Sequence, residues 1–368
     1  MVVVTACFKA PDDPIINTGT KSVEKVYNWN IIADSAQMGL NNFWNPSGKF
    51  YTVQIGQSNF NSNYWPNAHG LDALTDAYLR KNKEAILKKQ MDDLIAGLKV
   101  ANGNTYINYY YDDMQWLLIS SLRAFAATND NRYKDVADLL WVDVKKGWDN
   151  VSGGGFYWRK DKQNKNTPAN APACIFAARL YQINKNQDDL NWAKNIYKWL
   201  KDNMIRSNGE VWDGLNTNVN PITFDSRLFT YNYGTVIGSA LEMYKITKDL
   251  SYQNDAITVA DACLARLVRE NILQAGDLGD GGLFNGIFVR YLTRLIIEGD
   301  IPQSKKTIYI NFLKINAQTL WNKGTEKNKV LFGPNWAVNS GLNTTLNPQL
   351  SGTMLMESLA ELKALNLL

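Results

Sequence analysis

Two neighbouring carboxylates stand at the start of an apolar, helix-like segment that ends near Ala127. Asp112 and Asp113 follow three tyrosines in residues 109–116, YYYDDMQW. Acidic residues are common in a first helical turn, because the helix macrodipole stabilises a negative charge there by up to ~1 kcal/mol. Two adjacent acids enclosed by tyrosine and tryptophan are also typical of carboxylates that work as a pair in an aromatic cleft. Helix capping and acid–base chemistry are therefore both open interpretations.

The composition argues against several other kinds of chemistry. The 368 residues include a single histidine, His69, and three cysteines, Cys7, Cys174 and Cys263. A histidine-rich metal site or a cysteine-rich zinc framework is therefore not expected, and neither is a cofactor. A Ser-His-Asp triad would depend on His69 alone, without a G-x-S-x-G turn around a serine. Cys174 and Cys263 lie in apolar helical segments, which predicts buried free thiols.

The charge pattern also restricts the partners. The net charge of +4 is spread thinly and forms no basic block, so nucleic-acid binding is not expected. We expect the protein to be a monomer.

The first seven residues, Met1 to Cys7, are too short for a complete signal peptide or a membrane span. They resemble the end of a bacterial lipoprotein signal, in which small residues precede a cysteine that becomes lipidated. We therefore expect residues 1–20 to be a truncated lipoprotein signal and tether, with Cys7 as the lipid anchor. The protein would then be an exported outer-membrane lipoprotein, at the cell surface or in the periplasm. An ordinary frayed terminus is the alternative interpretation.

From Val23 onward, apolar residues recur with the period of an α-helix, and the alternation typical of strands is scarce. The pattern predicts twelve helices over residues 24–43, 68–80, 83–100, 112–127, 132–148, 170–183, 188–204, 232–246, 252–272, 284–297, 304–321 and 350–367. Rather apolar helices alternate with amphipathic ones, and their uneven spacing argues against a solenoid with a fixed repeat. We therefore predict an all-α fold, a closed (α/α)6 toroid of six helix pairs that occupies residues 21–368 as one domain.

Long loops rich in glycine, asparagine and aromatic residues precede the apolar helices. Residues 153–158, 211–214 and 279–284 are examples, whereas the turns after the same helices are short and polar. The long loops should gather on one face of the toroid, around the amino ends of the inner helices. Aromatic residues beside Asn, Asp and Gly suit a cleft that stacks on the apolar faces of sugar rings. Asp112 and Asp113 belong to that face.

Five motifs in this order resemble glycoside hydrolase family 76, the endo-α-1,6-mannanases. They are YWPNA with LD at residues 64–68 and 71–72, YYDD at 110–113, GGGFYW at 153–158, TYNYG at 230–234 and FNGIFVR at 284–290. The resemblance implies retaining hydrolysis of α-1,6-mannosidic bonds in the mannan backbone. It also implies that Asp112 is the nucleophile and Asp113 the acid/base, with α-mannan or manno-oligosaccharides as partner.

The positions of the two acids are compatible with this chemistry. Retaining glycosidases hold their carboxyl groups ~5–5.5 Å apart, and inverting ones ~6.5–9.5 Å apart. Adjacent Cα atoms are ~3.8 Å apart, and diverging side chains can reach the shorter spacing more easily than the longer one. Helix amides should keep Asp112 ionised, while its charge and the aromatic walls should raise the pKa of Asp113.

Ten further residues are candidates for substrate binding. They are Trp65, Asp72, Tyr110, Tyr111, Trp158, Asp213, Tyr231, Asn232, Asp280 and Phe288. Either tyrosine of 110–111 could donate the hydrogen bond that selects which catalytic acid stays charged. The other aromatic residues either stack on mannose or pack between loops, and stacking is favoured for Trp65 and Tyr231. Asp72, with the nearby His69, either binds sugar hydroxyl groups or caps a helix. Substrate contact also remains open for the polar loop residues Asp213, Asn232 and Asp280. Arg290 is expected to be a structural ion-pair partner.

Two other functions remain open on the sequence. A lipid-anchored protein could use the aromatic cleft only to capture glycans, although binding alone gains little from two adjacent like charges. A transglycosidase on the same fold would share the first chemical step.

Overall fold

A computed structural model describes residues 26–368, which form twelve α-helices and nine short strands. Six helices are inner: α2 (Tyr64–Arg80), α4 (Tyr111–Thr128), α6 (Ala171–Asn184), α8 (Thr230–Thr247), α10 (Gly281–Glu298) and α12 (Leu346–Ala364). Six are outer: α1 (Trp29–Asn41), α3 (Ala85–Ala101), α5 (Asn131–Val144), α7 (Gln187–Asn203), α9 (Leu250–Arg266) and α11 (Gln303–Thr319). The predicted tether and Cys7 lie outside the described residues, so the lipid anchor stays a prediction, as does the monomeric state.

The inner helices close into a ring. Each contacts the next in chain order, and α12 returns to contact α2. In α12, 16 of 19 residues are buried, whereas the outer helix α9 buries five of 17. An inner helix is therefore covered on nearly all sides and an outer helix on one stripe, as the difference in amphipathicity predicts. The predicted (α/α)6 toroid is confirmed.

The short turns behind the inner helices have a repeated local cause. Helices α4, α6 and α8 are each followed by a residue with φ between 57° and 58°, the left-handed conformation that ends a helix. The next residue in each case is Asp or Asn, whose side chain accepts a hydrogen bond from a backbone N–H of the first turn of α5, α7 or α9. This cap starts the outer helix at once. The turns therefore stay tight, and the long loops collect at the other end of the ring.

Some predicted helix boundaries were wrong. The helix predicted over 252–272 ends at Arg266, and the following apolar residues form a hairpin of β6 (Val268–Arg269) and β7 (Ile272–Leu273). The helix predicted from residue 68 begins at Tyr64, and it tolerates Pro66 because that residue lies in the first turn, where no backbone N–H is needed.

The strands are short and belong to the loops. Two more hairpins pair β1 (Trp44–Asn45) with β2 (Phe50–Tyr51) and β8 (Thr325–Glu326) with β9 (Leu331–Phe332). The remaining strands, β3 (Asn164–Asn166), β4 (Gly214–Asn216) and β5 (Thr223–Asp225), form an antiparallel sheet in the order β3-β4-β5. Lys165 pairs with Leu215, and Leu215 pairs with Phe224. This three-stranded sheet, which was not predicted, stands at the end of the ring where the long loops gather.

Cys174 and Cys263 are buried free thiols, as predicted. Within residues 26–368, no helix has both the length and the apolar character needed to cross a bilayer.

Candidate active site

A cleft of about 910 Å³ opens at the amino ends of the inner helices. Four of these helices contribute first-turn or second-turn side chains: Trp65 of α2, Asp112 and Asp113 of α4, Tyr231 of α8 and Phe284 of α10. The β3-β4-β5 sheet lines another part of the cleft. The closed ring therefore brings residues from distant parts of the chain around the carboxylate pair.

The carboxylate pair lies in the first turn of α4. Both side chains are partly exposed and line the cleft. Asp112 Oδ1 accepts a hydrogen bond of 2.9 Å from the backbone N–H of Asp113. The residue preceding the helix, Tyr110, makes no side-chain cap. Capping therefore accounts for part of the role of Asp112, and it does not explain why Asp113 also faces the cleft.

The side chain of Trp158 also lowers the pKa of Asp112, by acting as a hydrogen-bond donor to its charged form. The tryptophan is placed by main-chain bonds on both sides. Its N–H donates to the carbonyl oxygen of Asn164 at 2.7 Å, and its own carbonyl oxygen accepts from the N–H of Tyr111 at 2.8 Å. The loop of residues 153–158 is thereby joined to the start of α4.

Two buried polar side chains hold this loop in place. Lys165 is fully buried, and its Nζ donates to Asp149 Oδ1 at 2.6 Å and to the carbonyl oxygen of Gly154 at 2.7 Å. Asn170 is also fully buried and bonds both the N–H and the carbonyl oxygen of Phe156, at 2.7 and 3.0 Å. Gly155 has φ +89°, and a Cβ there would lie 2.4 Å from the Trp199 ring. The glycine is thus required by both conformation and space.

Burial raises the pKa values of both carboxylates above those of ordinary aspartates. Burial raises the pKa of Asp112 to about 7. The hydrogen bonds from the Asp113 N–H and the Trp158 side chain lower this pKa, but burial is the larger effect. Burial and the charge of Asp112 raise the pKa of Asp113 well above its usual range. Nearby Asp280 acts in the same direction on both. Since only Asp112 receives these hydrogen bonds, Asp112 ionises first and Asp113 keeps its proton.

Aromatic rings cover the part of the cleft beside the pair. Tyr231 stacks face to face on Phe284, with ring centroids 3.9 Å apart. Trp65 lies 6.3 Å from Trp116 and 6.4 Å from Phe284. Trp65 Nε1 also donates to Asp280 Oδ1 at 3.0 Å. Trp65 is therefore fixed by a hydrogen bond as well as by packing.

Asp213 is held at the other side of the cleft by residues of α8. Its Oδ1 accepts from Asn232 Nδ2 at 2.8 Å and from the Tyr231 hydroxyl at 3.3 Å. Burial raises the pKa of Asp213, and the hydrogen bonds lower it in part. The carboxylate is thus oriented before any ligand arrives.

Six of the ten predicted substrate-binding residues line the cleft. They are Trp65, Tyr110, Trp158, Asp213, Tyr231 and Asp280.

The other four were predicted to contact substrate, but the structure buries them and none lines the cleft. Phe288 is fully buried, one helical turn deeper than Phe284. The Tyr111 ring is buried against Gly147. Asn232 is fully buried, and its side chain donates a hydrogen bond to Asp213. Asp72 lies two turns below Trp65 and pairs with Arg123 at 3.0 Å.

Two other predicted residues also lie below the cleft. His69 is 4% exposed between the rings of Trp65 and Trp116, and neither ring nitrogen has a hydrogen-bond partner among the described residues. Burial lowers its pKa to about 3, so the imidazole is neutral. Arg290 pairs with Asp76 at 2.7 Å, which confirms the predicted structural ion pair.

Several cleft residues were missed by sequence reasoning. The aromatic ones are Trp116, Phe224, Phe229 and Phe284, and the polar ones include Asn216 and Arg227. Trp116 belongs to the segment 109–116 and Phe284 to the motif 284–290, and their position in the first two turns of inner helices was the available signal. No sequence signal indicated that residues of β4 and β5 line the cleft, because their placement depends on pairing with β3. In the part of the chain that the structure describes, no cluster of three or more His, Cys, Asp or Glu side chains could hold a metal ion.

The sequence and the fold match known proteins. The model of glycosyl hydrolase family 76 matches residues 28–366. The structure of the α-1,6-mannanase of Salegentibacter sp. HEL1_6 is 41% identical, with a TM-score of 0.88, over 91% of this chain and 100% of that chain. A variant of it with two adjacent aspartates replaced by asparagine is described as inactive and was solved with α-1,6-mannotriose. A Listeria innocua protein of solved structure is 32% identical, with a TM-score of 0.84, over 92% of this chain and 98% of that chain.

Curated relatives are more distant. The mannan endo-1,6-alpha-mannosidase of Eremothecium gossypii is 25% identical over 283 residues, which cover 69% of this chain and 58% of the relative. The corresponding protein of Candida glabrata is 31% identical over 109 residues, which cover 27% of this chain and 24% of the relative. The matched segments thus span less than two thirds of either relative.

Proposed function

Since the chain belongs to glycosyl hydrolase family 76, we propose that it is a retaining, endo-acting hydrolase of α-1,6-mannosidic bonds in the mannan backbone. The observation that carries this proposal is the pair Asp112 and Asp113 at the base of an aromatic cleft, with differently hydrogen-bonded carboxylates. The 41% identical Salegentibacter protein is described as an α-1,6-mannanase, and as inactive without two adjacent aspartates. That likeness supports the substrate and the need for a pair of adjacent aspartates.

In the proposed first step, ionised Asp112 attacks the anomeric carbon of the mannose unit whose glycosidic bond is to be cleaved. The bond from that carbon to the glycosidic oxygen breaks, and Asp113 donates its proton to the leaving oxygen. In the second step Asp113 takes a proton from water, whose oxygen attacks the anomeric carbon and releases Asp112. The hydrogen bonds from the Asp113 N–H and Trp158 favour the charged form that starts the cycle.

The cleft walls support an endo mode of attack. Phe224 is 45% exposed, and Arg227, which pairs with Asp225 at 2.5 Å, is exposed beside it. The rim of the cleft is therefore open to solvent at the sheet, and a polymer can lie across it. The stacked rings of Tyr231 and Phe284 offer apolar surface for the sugar faces.

The test is incubation of the protein with debranched α-1,6-mannan, with products followed over time. Mixed manno-oligosaccharides should appear early, and proton NMR should show the α-anomer first. Release of mannose alone would contradict the endo mode, and the β-anomer first would contradict retention. Absence of products together with clear binding would indicate a glycan-binding protein. Longer products in the presence of an acceptor sugar would indicate a transglycosidase.

Trp158→Phe should move the acid limb of the pH profile upward by about one pH unit. The change removes a hydrogen bond to the charged form of Asp112, worth about 1.5 kcal/mol, and one pKa unit corresponds to about 1.4 kcal/mol. Asp112 must be ionised to attack, so a higher pKa means that activity is already lost at a higher pH as the pH falls. The measurement is kcat/KM for mannotetraose as a function of pH.

Trp116→Phe is the matched control for this prediction. Trp116 also lines the cleft, while the hydrogen bond to Asp112 comes from Trp158. The control should lower kcat/KM without moving the acid limb. If the acid limb of the pH profile stays at the same pH in Trp158→Phe, the assignment of Asp112 as the group that must ionise is contradicted.

A further inference from the structure

A second groove, of about 280 Å³, lies on the outer wall of the ring. We call it the outer groove; it is lined by Trp148, which follows α5, and by Asp188, Asp189, Asn191, Trp192 and Asn195 of α7, among others. It shares no lining residue with the active-site cleft. Nothing in the proposed hydrolysis uses these side chains.

The tryptophans of the outer groove are partly exposed and firmly held. Trp192 stacks on Phe156 with ring centroids 5.8 Å apart, and meets Trp148 edge to face at 5.5 Å. A methyl group on Gly154 would lie 2.6 Å from the Trp148 ring, so the backbone there is packed against the indole. Aromatic surfaces that are already fixed lose little conformational freedom when a ligand binds.

The polar side of the outer groove offers hydrogen-bonding groups. Asp189 is only 6% exposed, and its Oδ2 accepts from Asn184 Nδ2 at 2.8 Å, which leaves the carboxylate further acceptor capacity. Asn191 Oδ1 accepts from Gln187 Nε2 at 3.1 Å, so its own amide group remains able to donate. Asp188 and Asn195 are exposed. Donors and acceptors thus stand beside the two indoles.

A helix start accounts for only part of this arrangement. Asp188 and Asp189 lie in the first turn of α7, where acidic residues are stabilised by the macrodipole. That effect gives no reason for two partly exposed tryptophans to line the same groove. Indole surface with amide and carboxylate groups around it suits a neutral, polyhydroxylated ring, whose apolar face stacks while its hydroxyl groups donate and accept.

We propose that the outer groove is a second saccharide-binding site, which holds a stretch of the mannan chain outside the active-site cleft. The identity of the saccharide rests on the proposed function. The segment that supplies Trp148 to the outer groove continues into the loop that supplies Trp158 to the cleft. A polymer held at the outer groove therefore stays at a high local concentration near the cleft, whereas a short substrate gains nothing from it.

The test compares Asp188→Ala/Asn195→Ala with a control double variant, Asp135→Ala/Asn311→Ala. All four positions are exposed and helical, and the control positions lie outside the groove, on α5 and α11. For each protein, kcat/KM is measured on debranched α-1,6-mannan and on mannotetraose. Retention in gels that contain the same mannan is measured in parallel. Because these residues are on the surface, both double variants should fold.

The groove variant should lose about tenfold in kcat/KM on the polymer, the loss expected when two modest hydrogen bonds are removed, and none on mannotetraose. Its retention by mannan should fall, while the control matches the wild type. Equal polymer kinetics and equal retention in all three proteins would overturn the proposal. If the wild type hydrolyses neither substrate, the proposed function fails. The retention comparison still decides on the groove in that case: weaker retention of the groove variant supports it, and equal retention overturns it.

Discussion

Replacing either Asp112 or Asp113 by asparagine is expected to lower kcat/KM on α-1,6-mannan by about 10³-fold or more, with the fold intact. Asparagine keeps the shape of the side chain, but it can neither attack as a carboxylate nor donate the acidic proton. Its side-chain oxygen can still accept the hydrogen bond that Asp112 takes from the Asp113 N–H. Both side chains are partly exposed in the first turn of α4, so circular dichroism and thermal unfolding should be close to wild type.

The two variants should differ on a substrate with a good leaving group. A dinitrophenyl mannoside needs no proton on its leaving oxygen, so Asp113→Asn should still form the glycosyl-enzyme intermediate, with a burst of dinitrophenol. Asp112→Asn should remain inactive on every substrate, because it has no nucleophile. The exposed Asp135→Asn in α5 serves as the control and should retain full activity. More than about a tenth of wild-type mannan hydrolysis in either cleft variant would contradict the two-carboxylate mechanism.

Arg290→Met is expected to lower the free energy of unfolding by about 3 kcal/mol, the lower end of the range for removing one partner from a buried ion pair, because Arg123 still pairs with Asp76. Arg290 of α10 makes two hydrogen bonds to the Asp76 carboxylate of α2, at 2.7 and 3.1 Å. Arg123 of α4 also contacts Asp76. Because α2 and α10 are separated in the ring by α12, this cluster ties together helices that are not neighbours.

The same cluster gives the variant a distinct acid response. Burial alone would raise the pKa of Asp76, but Arg123 and Arg290 together lower it to about 2. A carboxylate with a lowered pKa in the folded protein stabilises the fold above pH ~4, and this contribution is lost as the pH falls toward 2. In Arg290→Met the pKa of Asp76 should rise, so this pH dependence should shrink.

The measurement for Arg290→Met is urea unfolding at neutral pH and at lower pH values. Arg132→Met is the control, since Arg132 also pairs with an aspartate, Asp130, but is 66% exposed. Exposed pairs contribute about 0–1 kcal/mol. If Arg290→Met lowers the free energy of unfolding no more than the control does, the buried cluster does not hold the ring together.

The sequence by itself determined the helical architecture and the position of the carboxylate pair at the start of α4. Helix periodicity and the tight turns after α4, α6 and α8 depend on residues a few positions apart, so they can be read directly from the chain. The same holds for Asp112 and Asp113, because adjacency in sequence fixes their proximity. The difference between apolar and amphipathic helices was enough to assign inner and outer positions.

Only the tertiary structure decided which other residues face the cleft. Phe284 and Phe288 belong to one motif, yet depth along α10 places the first in the cleft and the second in the core. Asp72 lies about 10 Å further along α2 than Trp65, below the cleft, where it pairs with Arg123. In the sheet that lines the cleft, β3 pairs with β4, about fifty residues later in the chain, and β4 pairs with β5. Such contacts depend on ring closure and on long-range pairing, for which local patterns carry no signal.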